Sequence, residues 1–513
     1  MAYKTFAAID VGSTDVTMKI YEIATKKGYR LLDYASSIIE LGSDTYADGY
    51  ISQGSLDRLC DILSGFMKKM REYDTIEYRA YATSAIREAK NNQMVLDLIK
   101  RRTGMVVQIL NNSEHRFLMY KGLAVNAEYF EKIVEKNTAI VDIGAGSIQI
   151  SLVNDGKLIS TQNISIGALR VRERLKFFRL DTTHLERVME EYISNEIDTF
   201  QNYYLFNKQI KNIIAIGDET KYLIQIVPEL NITNQFGPEE LSYMFDRLLS
   251  KSPSDIAAEY KISYERATLL LPAAMIYGVF LRRSKADMIW TTQIDLCDGI
   301  IVDELERTKK LTFNRDFDVD ILSAVQQMAK KYHCDKTHNK NVAKIACQIF
   351  DKTKKIHGLK NSHRIQLEIA ALLHDCGKFI NMNGAAENSY SIIMSTEIMG
   401  LSHKEREEVA NIVRFNSVDF PDFNEAQGKI GVGDYMTIAK LSAILKVANA
   451  MDRSHKQKAS SYQIVVKDKQ LVITVDTLYD LALERGLFDD KADFFEQVYG
   501  IKPMLKQKRS ATI

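Results

Sequence analysis

The sequence predicts a duplicated α/β fold, followed by an all-helical domain and a small α+β tail, and three observations carry that reading. First, β-branched runs alternate with helical stretches up to about residue 300, as in "RAYATSAIREAKN", "GMVVQIL" and "NIIAIGDE". Second, one pattern of apolar strand, Asp-x-Gly turn and apolar strand occurs twice, about 130 residues apart, as "AAIDVGSTDVTMKI" and "AIVDIGAGSIQISLV". Third, from about residue 316 the apolar residues fall at helical spacing in segments without proline, such as "VDILSAVQQMAKKYH" and "RIQLEIAALLHDCGKFI".

At 513 residues the chain exceeds what one hydrophobic core can organise. The patterns divide it into an α/β domain over 1–125, a second over 126–305, a helical domain over 316–460 and a tail over 461–513. The charged stretch "ELERTKKLTFNRDFD" reads as the linker, and "YQIVVKDKQLVITVD" alternates like a hairpin before a last short helix.

Hydrophobic residues at 46% and charged residues at 26% describe a folded globular chain. The net charge of +1 argues against a wholesale nucleic-acid binder, so no nucleic acid is expected as a partner. The five cysteines are scattered with no C-x-x-C pair, as in a reducing compartment. No leader pattern opens the sequence, and "LLLPAAMIYGVFL" is too short for a membrane span. A cytoplasmic protein with no membrane partner is therefore expected.

The two Asp-x-Gly turns carry the chemistry. Glycine allows backbone positions in which successive N–H groups converge on a phosphate oxygen, here at Gly12 and Ser13 and at Gly144, Gly146 and Ser147. The preceding Asp10 and Asp142 supply hard oxygens for a divalent cation. No lysine follows the glycines and each turn leads into a strand, so neither is a nucleotide P-loop. A pair of such turns closing on a ligand resembles the actin-like (RNase H-like, ASKHA) superfamily.

Within that superfamily, "YATSAIREAKN", "SIGALRVRE" and "YERATLLLPAAMIYGVFL" resemble the exopolyphosphatase and guanosine pentaphosphate phosphatase family, Ppx/GppA. "LEIAALLHDCGKFI", "GLSHKEREEVANIVR" and "ANAMDRSH" are similar to the HD-type domain of its long members. The resemblance implies metal-assisted release of terminal orthophosphate from inorganic polyphosphate or guanosine pentaphosphate by attack of water. It implies Arg87 and Arg266 as phosphate clamps and Asp142 and then Asp10 as the Mg2+ or Mn2+ site; a homodimer is expected from the long helical half.

The chain departs from the family pattern around this pocket. "DIGAGSIQ" stands where "DIGGGSTE" is usual, which places Gln149 at a glutamate position. Alignment on Gly122 puts Glu114 and His115 at the catalytic glutamate pair. Imidazole can act as a base near neutral pH, or Glu114 can reach the water if the backbone shifts. Thr14 and Asp15 replace the usual asparagine and serine, and Cys297 replaces an arginine. A second reading follows, of a weakened member that binds polyphosphate, guanosine pentaphosphate or guanosine tetraphosphate as a regulator. A third is an actin-like kinase.

In the helical half, an HD metal site would use His338, His374 and Asp375, with Asn449 at the expected aspartate and Asp452 one turn away. Asn388 and Asn416 stand where two-metal versions carry histidines. The scaffold reading is favoured over metal binding, with "KKYHCDKTHNKNVAK" offering charge for a long anionic chain or a solvated helix face.

Overall fold

The structure is a computed structural model that describes residues 4–24, 28–126, 129–177, 185–205, 209–310, 313, 315–426 and 430–508. It divides into two compact units, Met1–Phe317 and Asp318–Ile513.

The first unit holds two sheets of matching plan. One contains β1 (Lys4–Val11), β2 (Asp15–Ala24), β3 (Gly28–Ile38), β4 (Glu77–Ala82) and β5 (Val107–Ile109), ordered β3-β2-β1-β4-β5. The other contains β6 (Thr138–Ile143), β7 (Ile148–Asn154), β8 (Lys157–Ile164), β9 (Asn212–Ile216), β10 (Gln235–Phe236) and β11 (Met288–Thr291), ordered β10-β11-β9-β6-β7-β8. In each sheet an antiparallel meander of three strands continues into parallel strands on the side of the first, and the second sheet ends on the short antiparallel β10. The duplication seen in the sequence is therefore a duplication of topology.

The hairpin register places the functional residues. Val11 pairs with Val16 and Ile143 with Ile148, so each glycine turn is the tip of a hairpin. Asp10 lies opposite Thr17, and Asp142 opposite Gln149. Every residue of β6 is buried, as expected for a central strand covered on both faces. The core of the first lobe joins Ile9, Val16 and Ile20 to Leu59, Leu63 and Phe66 of the helix Gln53–Glu72. The second core joins Val141, Ile148 and Ile150 to the helix Tyr264–Ser284 through Leu270, Ala273 and Ala274.

The helix Leu296–Arg307, assigned by sequence to the second lobe, packs against β1 and β2 of the first. Leu296, Cys297, Ile300, Ile301 and Leu305 form its buried face, and Gly299 meets the backbone at Leu118 too closely for any side chain. Cys297 donates to Ala8 O at 3.4 Å, so the thiol fills core space beneath the sheet. The helix also absorbs the start of the stretch read as linker, because Glu304 is buried and accepts from Arg79 at 2.9 Å.

The second unit is mainly helical, with Lys336–His357, Asn361–Leu373, Ala385–Ser395, His403–Ser417 and Val432–Ala450 as its principal helices. Its tail pairs β12 (Ser461–Lys467) and β13 (Gln470–Asp476) as the anticipated hairpin. The helix Ala482–Tyr499 runs 18 residues, longer than expected, and packs on Val432–Ala450. A further strand, β14 (Lys502–Lys508), lies parallel to β13. Its sequence "KPMLKQK" alternates weakly and begins beside a proline, which hides it from pattern reading.

Candidate functional site

The second turn is oriented by the segment that follows β8. Ala168 N donates to Gly144 O (3.2 Å), Arg170 N to Ala145 O (2.9 Å) and Arg170 Nε to Gly146 O (2.6 Å). In a planar trans peptide the N–H points opposite to the C=O. Three successive carbonyls held on one side therefore turn the N–H groups of Ala145, Gly146 and Ser147 to the other, the arrangement that captures an anion. Gly167 permits this, since a Cβ there would stand 2.3 Å from Ala145 O.

The first turn follows the same logic. Ser13 O accepts from Gly42 N at 2.9 Å, and Thr14 O accepts from Ile39 N at 2.9 Å and Glu40 N at 3.1 Å. The N–H groups of Thr14 and Asp15 thus face away from that segment. Ser13 Oγ accepts from Ala85 N (3.0 Å) and bonds both Ser84 Oγ (2.9 Å) and the Tyr46 hydroxyl (3.1 Å).

The two turns come together at Tyr46. A Cβ on Gly146 would lie 2.1 Å from the Tyr46 hydroxyl oxygen and 3.2 Å from Ser84 Oγ. The backbone of the second turn therefore rests against side chains that are bonded to the first. Ion pairs cross beside them: Arg170 with Glu88 (2.5 Å), Arg172 with Glu40 (3.0 Å), and Arg266 with Asp15. Arg170 also covers the Tyr46 ring at 4.3 Å.

Gln149 and His115 stand together between the lobes. Gln149 Nε2 donates to His115 Nδ1 at 2.7 Å, so the ring's proton resides on Nε2. Burial, and then the guanidinium groups of Arg87 and Arg116, push His115 down to about 3 from its ordinary 6.5. It is a neutral imidazole presenting a donor. Gln149 is 4% exposed, and its Oε1 has no hydrogen-bond partner among the described residues. The Tyr277 hydroxyl is likewise buried without a bond. Such an atom costs about 1–3 kcal/mol to keep, so a polar role accounts for it better than packing does.

Asp142 is buried, and desolvation raises it to about 7 although Arg116 opposes the shift. Glu219, 8% exposed, joins it: the Cβ position of Gly217 is 3.1 Å from Glu219 Oε2 and 3.5 Å from Asp142 Oδ1. Two buried carboxyl groups on one side of Gly217 offer hard oxygens of the kind that could hold Mg2+ or Mn2+. Among the described residues no three His, Cys, Asp or Glu side chains form a complete cage. Mg2+ commonly takes only one or two carboxylates and fills its shell with water and phosphate.

The remaining expected residues are placed as follows. Asp10 and Asp15 flank Gly12, their Oδ1 atoms 3.9 and 3.3 Å from its Cβ position. Arg87 donates to Leu110 O at 2.9 Å beside His115. Arg266, 8% exposed, lies over Tyr222 at 4.8 Å. Glu114 accepts from Asn111 N at 3.0 Å while Asn111 Oδ1 accepts from Glu114 N at 2.8 Å. This reciprocal box starts the helix Asn112–Asn126, so Glu114 serves its own helix and His115 reaches Gln149. Sequence reasoning missed Tyr46, Ser84, Arg116 and Glu219. Ser84 lies inside the quoted "ATSA" and Glu219 inside "IGDE", whereas Tyr46 carries no local signal.

In the helical unit, His338 is fully buried with Nδ1 2.9 Å from Asp452 Oδ2 and Nε2 3.2 Å from Asn449 Oδ1. His455 stacks on it at 3.6 Å and His374 meets its edge at 5.2 Å. His374 donates from Nδ1 to Ala371 O (2.8 Å), and Asp375 accepts from Asn339 Nδ2 (2.8 Å). Burial lowers His374 to about 4. Both ring nitrogens of His338 are thus within hydrogen-bonding distance of neighbouring side-chain oxygens.

The model of the Ppx/GppA phosphatase family matches residues 20–308, and that of Ppx/GppA phosphatase, domain III, matches 322–492. A guanosine-5'-triphosphate,3'-diphosphate pyrophosphatase of Photobacterium profundum is 20% identical over 494 residues, 93% of each chain. A bifunctional 3-dehydroquinate synthase/phosphatase of Fusobacterium nucleatum is 24% identical over 182 residues; that match covers 34% of this chain and only 26% of the relative. The crystal structure of an exopolyphosphatase from Cytophaga hutchinsonii superposes with TM-score 0.53 at 18% identity, covering 60% of this chain and 100% of its own. That likeness establishes the fold of the shared part. No helix among the described residues is long and apolar enough to cross a membrane.

Proposed function

Because the chain belongs to the Ppx/GppA phosphatase family, we propose that it releases terminal orthophosphate from inorganic polyphosphate or guanosine pentaphosphate. The observation that carries this reading is the meeting at Tyr46 of the two glycine turns, each with its carbonyls tied back on one side and its N–H groups turned to the other. Backbone donors aimed at one locus stabilise the charge on a transferring phosphoryl group without reorganisation. Arg266 and Arg87 add planar cationic donors. Asp142 and Glu219 would hold Mg2+ or Mn2+, which shares phosphoryl charge when bound. Asp10 faces the first cradle and serves second in that role.

Water positioning falls to the pair that replaces two acids. Gln149 Oε1 accepts a hydrogen bond from the attacking water, and His115 Nε2–H donates one to a phosphoryl oxygen. Neither removes a proton readily in this tautomer, so turnover is slow. The same feature favours the second reading, an anion-binding regulator of weak activity that takes polyphosphate or guanosine penta- or tetraphosphate.

Phosphate release from polyphosphate and from guanosine pentaphosphate, with Mg2+ or Mn2+, separates the two. The enzyme reading expects measurable release that Asp142→Asn abolishes and the pair Gln149→Glu, His115→Glu raises by about tenfold or more. Tight binding with no release from the wild type leaves only the regulator, and binding of neither anion ends both.

A further inference from the structure

Tyr277 lies in the helix Tyr264–Ser284, where Arg266, Leu270, Ala273 and Tyr277 follow one another at steps of four, three and four and so share one face. Leu270, Ala273 and Tyr277 belong to the core that holds Val141 and Ile148 of the second sheet. The helix also packs against Asp218–Gln225, which carries Glu219. The start of that shorter helix is fixed by Gly217, whose φ of +108° favours glycine and whose carbonyl accepts from Thr220 Oγ1 at 3.1 Å. Glu219 and Asp142 are brought together at this same glycine.

Tyr277 is 0% exposed, and its hydroxyl has no hydrogen-bond partner among the described residues. Burial, then the charges of Glu219 and Asp142, hold it well above its ordinary value of 10. The hydroxyl thus lies in the field of both carboxyls yet beyond hydrogen-bond reach of either. A phenylalanine would fill the same core space without a buried polar atom, whose desolvation packing does not return. A partner that comes within reach in another state of the site accounts for the hydroxyl. Ionised carboxylates only accept and the hydroxyl can donate, and Glu219 acts on it more strongly than Asp142 does.

Resting on the reading of Asp142 and Glu219 as the carboxyls that would hold Mg2+ or Mn2+, we propose that Tyr277 is a positioning residue. Its O–H donates to the Glu219 carboxylate in the cation-bound state and fixes which oxygen turns to the cation. Carboxylates that ligate metals are themselves hydrogen-bonded, and loss of that support weakens the metal. The contact lies wholly inside the protein, so it requires no solvent-accessible hydroxyl.

Mn2+ binding is measured by calorimetry on the full chain at fixed ionic strength, beside thermal unfolding of the metal-free protein. Tyr277→Phe should weaken Mn2+ by about tenfold. The metal-free midpoint should stay at or above that of the wild type, because only an unsatisfied hydroxyl is removed. In a Glu219→Gln background the same change should cost no further affinity, since the tyrosine acts through that carboxylate. Asp142→Asn separates the tyrosine from the metal site. If it impairs Mn2+ binding and Tyr277→Phe does not, the tyrosine proposal falls and the metal site stands. If Mn2+ fails to bind the wild type, or binds Asp142→Asn equally well, the metal site falls and the tyrosine with it. A lower metal-free midpoint in Tyr277→Phe would mean a hydroxyl already bonded in the resting protein, and equal losses in both backgrounds a tyrosine acting elsewhere; either overturns the proposal.

Discussion

The carboxylate of Asp15, on the first turn, closes on the guanidinium of Arg266 from the second lobe, and both side chains are largely buried. Asp15 Oδ1 is also 3.3 Å from the Cβ position of Gly12, so in the proposed function this acid competes with a phosphate at the first turn. Arg266, the proposed clamp, is thus paired with an anion of the chain's own.

Asp15→Asn removes that competing charge and frees Arg266. Tripolyphosphate affinity, measured by calorimetry in the presence of Mg2+, should rise by about tenfold or more, since a charge-assisted bond is worth about 1.5–3 kcal/mol. Unchanged affinity would mean that Asp15 does not contend with the ligand.

The contact of Gly146 with Tyr46 predicts a steric test. Gly146→Ala places a methyl group 2.1 Å from the Tyr46 hydroxyl. The backbone or the ring must move, at about 1–3 kcal/mol. Urea unfolding should show that loss, and Gly146→Ala in a Tyr46→Ala background should cost clearly less than in the wild type. Additive losses would place the two residues apart.

How much of this was legible in the sequence follows from what makes each feature local. The turns, their aspartates and the doubled topology were readable because the alternation around Asp10 and Asp142 is written in adjacent residues. Arg87, Gln149 and His115 were brought to one pocket by the resemblance to the family's motifs, and the structure sets Gln149 and His115 in contact with Arg87 nearby. Tyr46 was not readable, because its role depends on a glycine 100 positions away. Glu114 has a local role that the sequence also writes in adjacent residues, since with Asn111 it forms a reciprocal box at the start of its helix. The return of Leu296–Arg307 to the first lobe escaped for a similar reason, since an amphipathic helix shows that it has a buried face and not which sheet receives it.

The His115 environment predicts a pH dependence with a definite sign. Its folded pKa lies near 3 and its unfolded value near 6.5. Between them the unfolded chain binds a proton that the folded chain does not, so stability is full above about 6.5 and falls as pH drops through that window. Asp142, raised to about 7, acts oppositely but is common to wild type and variant. Between pH 7 and 5, His115→Gln should therefore lose less stability than the wild type, by about 2 kcal/mol in urea unfolding. Equal losses would show that the imidazole is solvated.

The central claim is that two backbone cradles grip one terminal phosphate. A crystal structure of the full chain with tripolyphosphate and Mg2+ tests it most directly. The account predicts a terminal phosphoryl group within hydrogen-bonding distance of the N–H groups of Ala145, Gly146 and Ser147, faced by those of Thr14 and Asp15, with Arg266 released from Asp15. Tripolyphosphate bound elsewhere while the Asp15–Arg266 pair stays closed would contradict it.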